Sequence, residues 1–461
     1  MKRLLSLLLA AMLLASLTPV LAEEVPTLKW VSLGGGMPDN YETWKAKVDE
    51  YLVEKIGVKL DAEILSWGAY GEKRNAIING GEYFDIIFTD GGSYFGDIDK
   101  NALLDIKPLL DTAAPELKAT LPEGMWDAVT VKDAIYAVPT MKDSALAHYF
   151  VFDPEVVKDI GIDVEQLHTL ESLEPLFLKM KEQGVAAPYT MNKGGSYHFL
   201  DVYDTIGLGT PLVGVRYDDE SRQVVSVFET EEIQKTLSLL HKWNKEGIIN
   251  SDASTLAESP ANLPFFVAQG WPKAWKVFDK VGLTSLFVGP IFSNNSVMGS
   301  MNGVYSGTNH PEKAMEFLQL VNTDTKLRDM LCYGEEGVNF EYKDGLVIQN
   351  ADKPWPWARY TQGNHAILTP GSDDPEILKN MTSVNESAQN SVMLGFNVDR
   401  SEIEDQLTYM KAVYEKYLAE LLTGTRAPEE IVPQMVAELD AGGMRDVIAN
   451  VQAQIDAAFA E

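Results

Sequence analysis

The sequence predicts an α/β fold in two lobes, and three observations predict it. Strand patterns alternate with helical stripes from Leu28 to Pro139, and the same alternation starts again at Ala147. A chain of 461 residues, 45% of them hydrophobic, is also long enough to fill more than one core.

Taken in order, Leu28 to Leu33 reads as a short strand and Gly34 to Asn40 as the loop after it. Tyr41, Trp44, Val48, Leu52 and Ile56 then fall on one helical face, and Gly57 ends that helix. "VKLDAEIL" alternates Val58, Leu60, Ala62 and Ile64 against polar residues, the pattern of a half-buried strand. "FDIIF", Phe84 to Phe88, is a continuous apolar run, as in a parallel strand covered on both faces. "AIYAVP" closes the first lobe at Pro139. The second lobe opens with "AHYFVFD" and a helix start at Asp153-Pro154-Glu155, then a helix ended by Gly184 and another from Ile233 to Trp243. Later, after Leu286 to Val288 and "MGSMNGVYSG", comes a helix at Pro311. From Glu402 onward two core stripes follow: Ile403, Leu407, Met410, Tyr414, Tyr417, Leu418 and Leu421, then Val447, Val451, Ile455 and Phe459.

The N-terminus reads as a secretory signal peptide: Lys2 and Arg3, an apolar stretch from Leu4 to Leu17, and a small-residue site with cleavage after Ala22. Glu23 stands where a lipoprotein would carry Cys, so no lipid anchor is expected there. Cys332 is the one cysteine, which rules out an intramolecular disulfide. A formal charge of −30 argues against nucleic acid or anionic lipid as a partner.

Chemistry is not announced by any motif. H-E-x-x-H, G-x-S-x-G and the phosphate-binding G-x-x-x-x-G-K-S/T are all absent. Asp97 to Asn101 opens like a calcium loop, but the sixth position is Ala102 and the twelfth Pro108. No catalytic residue, metal or cofactor is therefore expected. A pair of carboxylates distant in sequence stays open as the basis of a polysaccharide-active enzyme.

In an α/β sheet, ligands meet the loops at the carboxyl ends of strands. Those loops here carry Trp67 and Tyr70, then Asp90 and Tyr94. Further on stand Gln269 with Trp271, and "WPWARYTQGNHAIL", which holds Trp355, Trp357, Arg359 and Asn364. Pro356 is expected to keep the two indoles on opposite sides, with Trp357 facing a ligand and Trp355 buried.

From "TNHPEKAMEFLQLVNTDTKLRDMLCYGEEGVNFEY" onward the chain resembles the extracellular solute-binding proteins of bacterial carbohydrate ABC importers. The subgroup is the one whose C-terminal region is an uncharacterised domain first seen in lipoproteins of the LipO and LplA type. Tyr333-Gly334-Glu335-Glu336-Gly337, Trp357 with Gly363-Asn364, "NESAQNSVMLGFNVD" and the closing "QAQID" helix carry the likeness. The resemblance implies a type II periplasmic-binding-protein-like fold with the ligand held between the lobes. Lobe 1 is then expected at 25–139 and 303–345 and lobe 2 at 140–302 and 346–461, with crossings near Pro139-Thr140, Ser300 to Asn302 and Lys343 to Asn350.

It further implies an oligosaccharide ligand, ABC permease subunits as partners, and a monomer that alters nothing it binds. Sugars need aromatic plates for ring faces and polar groups for hydroxyls. The expected ligand set is Trp67, Tyr70, Asp90 and Tyr94 on one wall, Gln269, Trp271, Trp357, Arg359 and Asn364 on the other, and Asn302 at the crossing. A sugar sensor or adhesin on the same fold is the remaining alternative beside the enzyme.

Overall fold

The structure, a computed structural model, describes residues 25–260, 262–278, 280–372 and 375–460; the expected signal peptide, 1–22, lies outside them. The chain begins with β1 (Thr27–Gly34), α1 (Tyr41–Ile56), β2 (Lys59–Ser66), α2 (Tyr70–Gly80), β3 (Ile86–Thr89), α3 (Tyr94–Asp99) and β4 (Ala137–Pro139). β1 lies parallel between β2 and β3. Gly57 ends α1 because it takes the left-handed conformation (φ 69°) and turns its N–H back onto the carbonyls of Leu52 and Val53.

After β4 the chain crosses to β5 (Leu146–Phe152) and runs through α4 (Leu170–Glu182) and α5 (Glu231–Lys245) to β6 (Phe265–Gln269) and β7 (Leu283–Phe292). β5 pairs antiparallel with both of these strands. The chain then returns as β8 (Met301–Val304), antiparallel between β3 and β4, so the first sheet has the order β2-β1-β3-β8-β4.

α6 (Pro311–Thr323) and α7 (Thr325–Tyr333) cover this sheet, followed by a hairpin of β9 (Phe340–Lys343) and β10 (Leu346–Gln349). The expected third crossing at Lys343 to Asn350 is this hairpin, and it leads nowhere near the second lobe. The chain stays on the first. Gly35 N–H donates to the Pro356 carbonyl at 2.7 Å, and Ala358 N–H to that of Leu33 at 3.3 Å. A Cβ on Gly34 would stand 2.3 Å from the Pro356 oxygen, so only glycine allows this approach. Arg328, fully buried, donates to the carbonyls of Arg359 and Asn364 at 2.8 and 3.1 Å and to the Gln362 side chain. Residues 351–365 are thus fastened to the first lobe, although the expected boundary at 346 gave them to the second.

The passage comes later, through α8 (Ile377–Glu386) to β11 (Gln389–Asn390), which joins β7 in parallel to complete the order β6-β5-β7-β11. α9 (Glu404–Leu422), α10 (Pro428–Ala441) and α11 (Met444–Ala458) then pack on the second core. Their stripes are buried at Leu407, Met410, Tyr417, Leu421, Val447, Val451 and Ile455. Three members depart from expectation: Tyr414 and Leu418 are half-buried and Phe459 is exposed.

Candidate ligand-binding cleft

The three passages between lobes meet at one place. Thr140 N–H donates to the Ser300 carbonyl at 2.9 Å, and the Ser300 hydroxyl bonds Thr140 Oγ1 at 3.1 Å and the Tyr360 carbonyl at 2.6 Å. His365 N–H donates to the Met141 carbonyl at 2.7 Å, and Asn385 accepts from Ala145 N–H at 3.0 Å. Beside this hinge a cleft of about 860 Å³ opens between the lobes.

Its first wall is the loop after β3. Asp90, Gly91, Gly92 and Phe95 line it, and Gly91 N–H is fixed to the Met298 carbonyl at 2.8 Å. Underneath, Arg74 bonds Asp97 and, at 3.3 Å, Thr89 Oγ1, so a buried ion pair holds the strand end that carries Asp90. Next to Asp90, the rings of Trp67 and Tyr360 lie 6.3 Å apart and 24° from parallel, and Trp67 is 56% exposed. Asp90's charge contributes to holding the Tyr360 hydroxyl above its ordinary range, after burial, which is the larger cause.

The opposite wall is built on a tight turn at His198–Val202. Tyr197, 47% exposed, stacks on His198 at 4.2 Å and 20°, and His198 meets His148 of β5 edge-on at 4.6 Å. His148 Nε2–H in turn donates to Asp201 Oδ2 at 2.7 Å. Burial, and next the neighbouring His148, holds His198 down at about 3, so His198 is neutral. Tyr197 and Asp201 both face the cleft. One offers a ring plate, the other a carboxylate whose direction His148 sets. Arg400, just before α9, and Glu404, Thr408, Lys411 and Tyr414 of α9 complete this wall. Burial first, then the charge of Asp201, pushes the Tyr414 hydroxyl up to about 12.

Of the ten expected ligand residues, Asp90 lines the cleft and Trp67 stands beside it. Tyr70 is half-buried near Asp90, with its hydroxyl donated to the Phe88 carbonyl at 2.5 Å. Four must be corrected, because they are buried and their polar atoms are already paired. Tyr94 donates to the Val129 carbonyl at 2.6 Å. Asn302 accepts from Trp30 Nε1–H at 3.0 Å and donates to the carbonyls of Thr361 and Gln362. Asn364 donates to the Asn322 carbonyl. Trp357, 3% exposed, donates to Ser32 Oγ at 2.9 Å and packs on Trp30 and Trp44. Trp355 meets the same Trp44, so the two indoles do not divide between core and ligand as expected.

Gln269, Trp271 and Arg359 lie outside the cleft lining. Trp271 borders a separate hollow with Glu376 and Asn380, and the Arg359 side chain is exposed. Sequence reasoning missed Tyr197, Asp201 and the α9 residues. "GGSYHFLDVYD" mixes glycine, aromatics and acids, a signal that could have marked the first two.

Two lobes on mixed sheets, joined by three passages with a polar and aromatic cleft beside them, define a capture protein of the binding-protein class. The chain belongs to the bacterial extracellular solute-binding protein family, whose model matches residues 34–326; a second model, a domain of unknown function, matches 392–460. The chain is 27% identical over 454 residues to a carbohydrate ABC transporter substrate-binding protein of Streptococcus pneumoniae serotype 4, covering 94% of this chain and 91% of the relative. Among solved structures it is similar to the N-glycan transport solute-binding protein NgtS of Streptococcus pneumoniae, at TM-score 0.84 and 24% identity over 94% of this chain and 98% of that one. The same protein in complex with Man1GlcNAc and with Man5GlcNAc matches 94% of this chain at TM-scores of 0.74 and 0.71, covering 99% and 98% of those chains at 24% identity. Among the described residues no helix is long and apolar enough to cross a membrane, and no cluster of His, Cys, Asp and Glu could hold a metal ion.

Proposed function

We propose that this chain captures an oligosaccharide in the cleft between its lobes and delivers it, unaltered, to the permease of an ABC importer. The observation that carries the reading is the pairing of Tyr197 with Asp201 on one wall, opposite Asp90 on the other. A sugar presents C–H ring faces and a rim of hydroxyls, and this arrangement meets both. The volume, about 860 Å³, lies toward the upper end of the roughly 300–1,000 Å³ usual for small-molecule sites, which suits several sugar units better than one. The carbohydrate relative and the N-glycan binding protein of the same fold support it. Export with cleavage after Ala22 and a monomeric state belong to the same reading, and intact mass and light scattering of the secreted protein test them.

The deciding experiment is a thermal-shift screen across mono- and oligosaccharides, since a ligand bound only by the folded state raises the midpoint. Oligosaccharides are expected to raise it, and to be recovered whole after long incubation; a released cleavage product would make the protein an enzyme. Asp201→Asn is expected to weaken the best ligand by about 1.5–3 kcal/mol, the worth of a hydrogen bond to a charged group. Unchanged affinity would remove Asp201 from the site.

A further inference from the structure

Residues 392–460 match a domain model that carries no function, yet the N-terminal half of α9 in this segment is one wall of the cleft. Glu404, Thr408, Lys411 and Tyr414 follow at steps of four, three and three, so they form one stripe along the helix. The opposite stripe, Met410, Val413, Tyr417 and Leu421, is buried in the second core, and Tyr417 is bonded to Glu438 of α10 at 2.6 Å. The stripe therefore stands on a rigid support rather than on a loop. Arg400, just before α9, has other contacts: its guanidinium lies 5.9 Å from the Phe95 ring across the cleft, and it reaches the Gly207 carbonyl at 3.3 Å and Glu404 at 3.5 Å. Glu404 meets Arg400 through Oε2 alone, so the stripe presents an acceptor, a hydroxyl and a donor, in the order Glu404, Thr408, Lys411, all exposed.

Both signs of charge on one stripe serve a ligand that both gives and takes hydrogen bonds along its length. A single-signed ligand would gain from one end of the stripe and lose at the other. Tyr197 and Asp201 occupy the neighbouring part of the wall, and Tyr414 joins the two parts through its closeness to Asp201.

We propose that α9 reads the outer residues of a neutral oligosaccharide, with Glu404, Thr408 and Lys411 determining specificity beyond the unit held by Tyr197 and Asp201. This inference rests on the sugar-capture reading, and the test separates the two. Glu404→Gln, Thr408→Val and Lys411→Met, singly and combined, are titrated by calorimetry with Man1GlcNAc as the short probe and Man5GlcNAc as the long one. Each single change is expected to weaken the long probe about fivefold, the effect of one net hydrogen bond, while the short probe stays within about twofold. Melting temperatures should not move, because the three side chains are exposed. Equal weakening of both probes, or no change with either while Asp201→Asn weakens both, would overturn the role of α9 and leave sugar capture standing. Wild-type protein that binds neither probe would overturn the neutral-glycan reading and this inference together.

Discussion

A cluster of four indoles in the first lobe and the Tyr197–His198–His148 stack of the second both lie beside a strand end, but they dispose of their polar atoms differently. Trp30, Trp44, Trp355 and Trp357 each donate Nε1–H inside the protein, to Asn302, the Met330 carbonyl, the Leu331 carbonyl and Ser32. Nothing is left over for a ligand. In the second cluster the Nδ1 atoms of both histidines are buried without a partner, the outer tyrosine ring is half open, and the carboxylate, bonded to His148 through Oδ2 alone, lines the cleft. An aromatic cluster whose donors are all answered from within is core; one that ends in an open ring and a half-used carboxylate is able to receive something.

Trp357→Ala attacks the first cluster and should have the largest effect. Removing a 3% exposed indole leaves a cavity against Trp30 and Trp44 and takes away one of the two partners of the Ser32 hydroxyl, leaving Thr361 Oγ1 at 3.0 Å. The expected loss is about 3–5 kcal/mol of stability in urea unfolding, with the folded fraction binding as wild type does. A stable variant with reduced affinity would return Trp357 to the ligand site.

Acid should strain both regions, through one histidine in each. His365, buried in the first lobe against Arg328 and Lys142, is held well below its ordinary range by burial and then by the Arg328 charge. His198 is held at about 3, again mainly by burial. In both, the unfolded chain takes up a proton near 6.5 while the folded one does not, so their contribution is present above that pH and is lost as pH falls toward the folded value. By about pH 5 His198 should have cost on the order of 2 kcal/mol, and His365 adds a loss of the same sign. His198→Phe, which keeps a ring under Tyr197, is expected to recover that amount at about pH 5 and to gain nothing from titration near pH 7. An acid sensitivity identical to wild type would mean that His198 charges freely in the folded state.

The fold was legible because its signals are local. Gly57, Pro139 and the alternation of "VKLDAEIL" sit inside the elements they end or define. The site was much less so. Trp357 looked like a ligand plate because its partners are far off: Ser32, which accepts its indole N–H, is 325 residues away in sequence. Tyr414 sat at the edge of an apolar stripe and could not be told from its core neighbours without knowing what lay alongside α9. Asp201 stands on a five-residue turn and Tyr197 just before it, too short a stretch for any period to show. The late passage between lobes was hidden for a similar reason, since the Arg328 side chain that holds 359–364 to the first lobe carries no mark in the sequence around it.

The smallest expected effect, and the one that sharpens the comparison most, is at Tyr197. Its ring is half exposed and rests flat on a neutral His198, so its removal opens the top of a stack without hollowing out a core. Tyr197→Ala should therefore leave stability within about 0.5 kcal/mol of wild type, as a surface change does. Affinity for an oligosaccharide should fall by about 0.5–1.5 kcal/mol for the lost ring contact, plus the apolar area it covered. Tyr197→Phe keeps the plate and removes only the hydroxyl, so it should restore most of the binding if the ring face is what the sugar meets. Calorimetry and urea unfolding on the two variants separate three outcomes. Weaker binding with Ala and recovery with Phe establishes the plate. Weak binding with both would mean that the hydroxyl does the work. A destabilised Ala variant with full affinity would make Tyr197 a lid over the histidines, the same kind of residue as Trp357 in the other lobe, and would erase the difference between the clusters.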